Sequence, residues 1–156
     1  MDQRSIEYLR SMDNKKIASL LRGIYNFFER RFSPENFGNI HQVNNLGYTL
    51  DYLGVEYDMN FFYKDNFKFI IKAKIQNSKE DLEEKLKEQI VSNIQLNKSK
   101  YLSKREIISN DSSVEIICTI KKYPNNEQET NELCKLLWGE IVQVFMKNIH
   151  TKSNTK

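Results

Sequence analysis

The stretch VEYDMNFFYKDNFKFIIKAKI (Val55–Ile75) decides the fold, because its apolar side chains recur at every second position. Successive side chains of a strand point to opposite faces of a sheet, so this alternation predicts two strands, one on each side of the polar segment Lys64–Asn66. The same period of two begins at Tyr48 and continues to Tyr52. We therefore predict a meander of three antiparallel strands.

The length of the loop between the last two of these strands sets their register. A two-residue turn at Asp65–Asn66 would place Phe61 opposite Ile70 and would mix the two faces. A three-residue loop, Lys64–Asn66, places apolar residues opposite apolar ones and acids opposite lysines. The predicted pairs are Phe61 with Phe69, Met59 with Ile71, Tyr57 with Ala73, Asp58 with Lys72, and Glu56 with Lys74. The sheet should then have an apolar inner face and a charge-paired outer face.

The rest of the chain predicts helices around this meander. Apolar residues at intervals of three and four indicate a helix over residues 5–32, and residues 33–46 are expected to form a loop. A helix from Ser78 to about Lys98 should precede two strands over residues 102–109 and 114–122. The register of these two strands stays open, because neither possible pairing keeps apolar and polar residues on separate faces. A last helix is capped near Asn126, and a frayed tail begins at His150.

The expected fold is therefore α+β. Its order is an N-terminal helix, a three-strand antiparallel meander, a helix, a two-strand hairpin and a C-terminal helix, with the helices packed on one face of the sheet. Residues 1–150 are expected to form a single domain, and residues 151–156 a disordered tail. At 156 residues, with 39% hydrophobic and 29% charged residues, the chain is long enough for one core only.

Composition and cysteine usage restrict the compartment. No run of 18 apolar residues is present, so no membrane span is expected. The start, Met1–Ser5, lacks the apolar segment of a secretory signal, and we expect a cytoplasmic protein. Cys118 and Cys134 lie inside apolar stretches and are expected to be buried, reduced thiols.

The sequence predicts no enzyme, no cofactor and no metal site. Its five glycines are isolated, so no phosphate-binding loop is present, and no nucleophile-elbow or zinc-protease motif occurs. His41 falls in the predicted loop and His150 near the predicted tail, where neither would be held as a general base. A carboxylate or metal site at Asp51, Glu56 and Asp58 is the alternative to pairing with the lysines, and we favour the pairing.

Three apolar residues fall outside the expected core pattern. Phe62 and Ile70 point to the charged face of their strands, and Trp138 lies beside the main apolar side of the last helix. The alternative to partner contact is burial under a helix or a neighbouring subunit for Phe62 and Ile70, and structural packing for Trp138. We predict that the chain is a non-enzymatic, protein-binding module that is chaperone-like, an adaptor or toxin-neutralising. Its partner would be another protein, with a second copy of this chain (a homodimer) as one candidate.

The order of elements resembles that of the type III secretion chaperones and of the related YbjN family. The run that fits best follows the middle helix and contains Tyr101-Leu102, Ile107-Ile108, Asn110-Asp111 and Val114-Glu115-Ile116. This resemblance implies a dimeric, non-enzymatic protein that binds another polypeptide.

A nucleic-acid-binding protein is the alternative function. The order of strands and middle helix is also that of an OB barrel, and single strands bind to such folds through basic and aromatic side chains. The residues that would form this surface are Phe62 and Ile70 with Lys68, Lys72, Lys74, Arg30 and Arg31.

Overall fold

The structure is a computed structural model of the chain. It describes residues 3, 7, 10, 11, 15–31, 40–44, 47–63, 67–75, 84, 100–110 and 112–154. The first complete helix, α1, covers Lys15–Arg31, and Gln3, Glu7 and Arg10 before it are also helical. The apolar face of α1 is buried because residues three and four positions apart lie on one side of a helix.

Six strands form one antiparallel sheet in the order β1-β2-β3-β4-β6-β5. Their bounds are Ile40–Asn44 (β1), Gly47–Tyr52 (β2), Val55–Tyr63 (β3), Phe67–Lys74 (β4), Leu102–Asn110 (β5) and Ser113–Ile120 (β6). The last strand, β6, pairs with β4, and β5 lies outside it. Since β1 and β5 lie at opposite ends of this order, the described strands form an open sheet and not a closed barrel.

The predicted register of the central hairpin is confirmed at every predicted pair. Phe61 lies opposite Phe69, and Asp58 lies opposite Lys72. The pairs on the inner face are fully or almost fully buried, whereas Lys74 on the outer face is exposed and forms an ion pair with Glu56. The two-residue alternation and the loop length were therefore sufficient to assign each side chain to its face.

The C-terminal part of the chain is one nearly continuous helical segment. It consists of α2 (Glu127–Leu136), a π-helical stretch (Leu137–Val142) and α3 (Gln143–Asn154). The side chain of Asn126 accepts a hydrogen bond of 2.8 Å from the backbone N–H of Glu129, which confirms the predicted cap. Among the described residues, no helix is long and apolar enough to cross a membrane.

The described helices pack on one face of the sheet, as predicted. The ring of Phe28 in α1 lies 5.0 Å from that of Phe61 and 5.5 Å from that of Phe69. From α3, the ring of Phe145 lies 6.1 Å from that of Tyr57. Because these strand residues all belong to the inner face, α1 and α3 cover the same side of the sheet. The α+β class is thus confirmed.

Two expectations about irregular segments were wrong. Residues 40–44 of the predicted loop form β1, which pairs with β2 and lengthens the meander to four strands. The predicted frayed tail at His150 is also corrected, because α3 continues to Asn154 and His150 is only 9% exposed. The predicted middle helix lies outside the described residues apart from Glu84, which is helical.

The final hairpin contains the irregularity that the sequence pattern left unresolved. The register of β5 against β6 shifts between Leu102 and Lys104, which is the mark of a β-bulge. Beyond this shift Arg105 lies opposite the buried Cys118 and is itself only 5% exposed, and burial lowers the pKa of its guanidinium group. Neither pairing register separated apolar from polar residues in the sequence, because the charged Arg105 occupies a position on the inner face.

Candidate functional site

The turn between β2 and β3 holds a leucine in an unfavourable conformation. Tyr52 pairs with Val55, so Leu53 and Gly54 are the two central residues of the turn. Their φ angles are +50° and +83°, the pattern of a type I′ turn. Glycine adopts positive φ at no steric cost, and Asn is the usual residue at the first position, whereas other L-residues lose about 1–2 kcal/mol there. Leu53 therefore destabilises its own turn.

The same leucine is also exposed to solvent. Leu53 is 70% exposed, and the other exposed large hydrophobic residue in the described part of the chain is Ile108, at 44%. An asparagine at position 53 would relieve the backbone and remove apolar surface from water. Backbone strain of this kind concentrates at functional sites, so the two costs together make Leu53 a candidate site residue.

A groove runs beside this turn, between it and the C-terminal helical segment. Its volume is about 480 Å³, which falls within the range of roughly 300–1,000 Å³ that ligand pockets occupy. The described residues that line it are Tyr52, Leu53, Trp138, Gln143, Met146, Lys147 and His150, and we call it the Leu53 groove. Most of these side chains are apolar or aromatic, so the groove suits an apolar side chain.

A hydrogen bond from the sheet to the last helix holds His150 in the wall of the groove. The hydroxyl of Tyr57 lies 2.8 Å from Nε2 of His150, and the bond is buried. The ring of Tyr52 packs edge-on against the imidazole at 5.0 Å. Burial lowers the pKa of His150, and burial followed by the nearby Tyr52 raises the pKa of Tyr57. Both side chains are therefore neutral near pH 7, and they act as a structural link.

Trp138 joins the groove to the core of the helical layer. Its ring meets that of Phe28 edge-on at 6.2 Å, and it is half-buried in the π-helical stretch. The guanidinium of Arg31 lies 5.8 Å from the centre of this ring and 4.8 Å from that of Phe27. One part of Trp138 is thus fixed by packing while another lines the groove.

Polar side chains occupy the helical wall of the groove. Lys147 is exposed there, together with the exposed Gln143. Asp51, two residues before Leu53, is also exposed, but it pairs with Glu56 on the outer face of the sheet and does not line the groove. The groove therefore combines an apolar interior with one basic residue on its helical wall.

The structure does not bring the three predicted partner-binding residues into one surface. Ile70 is half-buried on the outer face of β4, opposite Asn60 and Ile117. Trp138 lies among the helices on the other side of the sheet. The backbone of Phe62 pairs with Lys68, and its side chain lies outside the described part. Of the two whose side chains the structure describes, Trp138 lines the Leu53 groove and Ile70 does not.

The basic residues proposed for nucleic-acid binding are also divided between two sides. Lys68 and Lys72 are half-buried on the outer face, where Lys72 lies opposite Glu115 as well as Asp58. The amine of Lys74 lies beside Glu56 and 3.7 Å from Asp58. Arg30 and Arg31 belong to α1 on the inner side. No single basic surface combines all five.

Comparisons with known proteins do not assign a family to this chain. No family model, curated protein or solved structure matches the chain. The resemblance to type III secretion chaperones and YbjN proteins remains a prediction from element order.

Sequence reasoning missed Leu53, although the sequence carries a signal for it. The dipeptide Leu53-Gly54 stands where the alternating strands leave a two-residue hairpin turn, and Asn-Gly or Asp-Gly is the usual pair there. A leucine at this position indicates that something other than turn geometry determined the residue.

Proposed function

We propose that this chain is a non-enzymatic protein-binding module that receives an apolar side chain of another polypeptide in the Leu53 groove. A chaperone-like protein, an adaptor and a toxin-neutralising protein all fit this description. The observation that carries the proposal is Leu53 itself, which is 70% exposed at positive φ on the wall of an apolar groove.

The energies involved are consistent with this role. Holding a leucine in the left-handed region costs about 1–2 kcal/mol, and burial of the 70% of its side chain that is exposed returns about 1–2 kcal/mol. The cost is incurred by the isolated chain, and the gain is available only when a partner covers the turn. Such an arrangement is expected for a residue selected for binding and not for folding.

The titratable groups of the described core support binding over catalysis. Burial raises the pKa of Cys134 to about 12, and burial likewise raises the pKa of Cys118 to about 12, with Arg105 opposing it. Thiols with such pKa values are poor nucleophiles at neutral pH because the thiolate is the reactive form. The imidazole of His150 is hydrogen-bonded to the hydroxyl of Tyr57.

Affinity capture from the native host tests the proposal. The wild-type chain, Leu53→Asn and a control, Gln128→Asn, would be immobilised and exposed to the same lysate. Gln128 is exposed on α2 and does not line the groove. We expect one polypeptide to be retained by the wild type and the control and lost with Leu53→Asn. Equal retention by all three proteins would contradict the proposal.

The nucleic-acid alternative has weaker support, because its basic residues lie on two sides of the sheet and Lys74 is paired with acids. Binding of a single-stranded oligonucleotide that weakens steeply with salt and with Lys72→Glu would favour it. We expect no such binding.

A further inference from the structure

We propose that the polypeptide segment received by the Leu53 groove is acidic: an apolar side chain enters the groove, and an aspartate or glutamate close to it in the partner's sequence pairs with Lys147. The inference rests on the proposed function, because it names the chemistry of the segment that the same groove receives.

The groove itself carries a positive charge that no carboxylate of its wall balances. Lys147 is the one charged side chain among the described residues that line it, since burial lowers the pKa of His150 and leaves that imidazole neutral near pH 7. The amine of Lys147 is exposed, and none of the ion pairs in the described part of the chain includes it. It is therefore open to a carboxylate of a partner.

The acidic residues of the neighbouring β2–β3 hairpin point to the other face of the sheet. Asp51 lies opposite Glu56, and Asp58 is two residues further along β3, on the same outer face. Tyr52 and Tyr57 alternate with these acids and occupy inner positions, on the side of the C-terminal helices. The hairpin thus gives the groove uncharged surface and directs its carboxylates away from it.

The helical side of the groove is positively charged. Residues 141–156 include three lysines and no acidic residue. From α1, the guanidinium of Arg31 lies 5.8 Å from the centre of the Trp138 ring, which lines the groove. Glu140 lies near the buried Arg105, whose positive charge it stabilises, and it is not among the described residues of the groove wall. A potential of this sign attracts an acidic segment and disfavours a basic one.

The apolar contact and the ion pair have different roles in this complex. An exposed ion pair changes an affinity by about fivefold at most, so the contact with Leu53 and the aromatic wall must supply most of the binding. The pair with Lys147 then determines which apolar segments are accepted and in which direction they lie.

Selection of a phage-displayed library of random peptides on the immobilised wild type supplies probes for a test. Selected peptides that Leu53→Asn does not bind would be synthesised, each with a second version in which its acidic residues are replaced by the corresponding amides. Their dissociation constants would be measured for the wild type, Lys147→Gln, Lys147→Glu and a control, Lys135→Glu. Lys135 is exposed on α2 and does not line the groove, so the control makes the same charge change elsewhere.

We expect the Leu53-dependent peptides to share an apolar residue with an aspartate or glutamate near it. Their dissociation constants should rise about fivefold with Lys147→Gln and about tenfold with Lys147→Glu, and Lys135→Glu should leave them unchanged. The amide versions should bind about fivefold more weakly to the wild type and equally to the wild type and Lys147→Gln.

Leu53-dependent peptides that lack a shared acidic residue would overturn this inference and leave the proposed function intact. Equal affinities for Lys147→Glu and Lys135→Glu would do the same. The absence of any peptide that requires Leu53 would overturn both.

Discussion

Replacing Leu53 with asparagine should stabilise the fold while it removes binding. The substitution relieves a leucine at φ +50°, which is worth about 1–2 kcal/mol. Leu53 is 70% exposed, so the three tenths of it that are covered contribute only about 0.5–0.9 kcal/mol of burial free energy. The relief exceeds the lost burial, and we expect the free energy of unfolding to rise by about 0.1–1.5 kcal/mol.

Urea unfolding followed by circular dichroism measures this difference. The measurement should be made at low protein concentration, because self-association adds to the apparent stability by mass action. At this chain length about 1 kcal/mol corresponds to about 2–4 °C in Tm, so thermal unfolding provides a second readout. Gln128→Asn is the matched control and should leave both values unchanged. A fall in stability with Leu53→Asn would show that Leu53 makes contacts that hold the fold, and the argument for a binding role would fail.

Three further predictions concern the core and the hydrogen bond between Tyr57 and His150. Tyr57→Phe leaves Nε2 of the buried His150 without its 2.8 Å partner, and chemical unfolding should show a loss of about 1–3 kcal/mol; an unchanged midpoint would contradict the bond. Burial lowers the pKa of His150, so its contribution to stability is complete above about pH 6.5 and is lost as the pH falls below that value. Unfolding midpoints between pH 7.5 and 5 should fall with acid, and His150→Gln should reduce the dependence; equal slopes would refute this assignment. Phe28→Ala removes a fully buried ring that touches Phe61 and Phe69, and the free energy of unfolding should drop by about 3–5 kcal/mol, whereas a loss below 1 kcal/mol would contradict the packing.

The central hairpin could be predicted in detail because local information determines it. Every inner-face position of its two strands is apolar, and a three-residue loop, Lys64–Asn66, keeps these residues together on one face. The register of the β5–β6 hairpin could not be predicted, because a bulge near Leu102 and the buried Arg105 disrupt the alternation of apolar and polar residues. A bulge adds one residue on one strand, and so it exchanges the faces at a point that periodicity alone does not mark.

Two other features depend on partners that are distant in the sequence. The segment Ile40–Asn44 has little strand character of its own and is a strand because it pairs with β2. His150 is ordered because it reaches Tyr57, which lies 93 residues earlier. Neither interaction leaves a local signature, so the sequence predicted a loop and a frayed tail instead.

The candidate site was predicted only in part. Trp138 was identified because it departs from the apolar side of its helix, and it does line the Leu53 groove. Ile70 departs from its pattern in the same way but lies on the opposite face of the sheet. Periodicity assigns residues to faces of one element, and it does not show which faces of different elements meet.

Photo-cross-linking from position 53 in the native host tests whether Leu53 contacts another polypeptide. A photoreactive amino acid would replace Leu53 in one variant and Gln128 in another, and mass spectrometry would identify the joined polypeptides. We expect a defined polypeptide product from position 53 and none from position 128. If position 53 gives no product beyond those of position 128, Leu53 is not a binding residue.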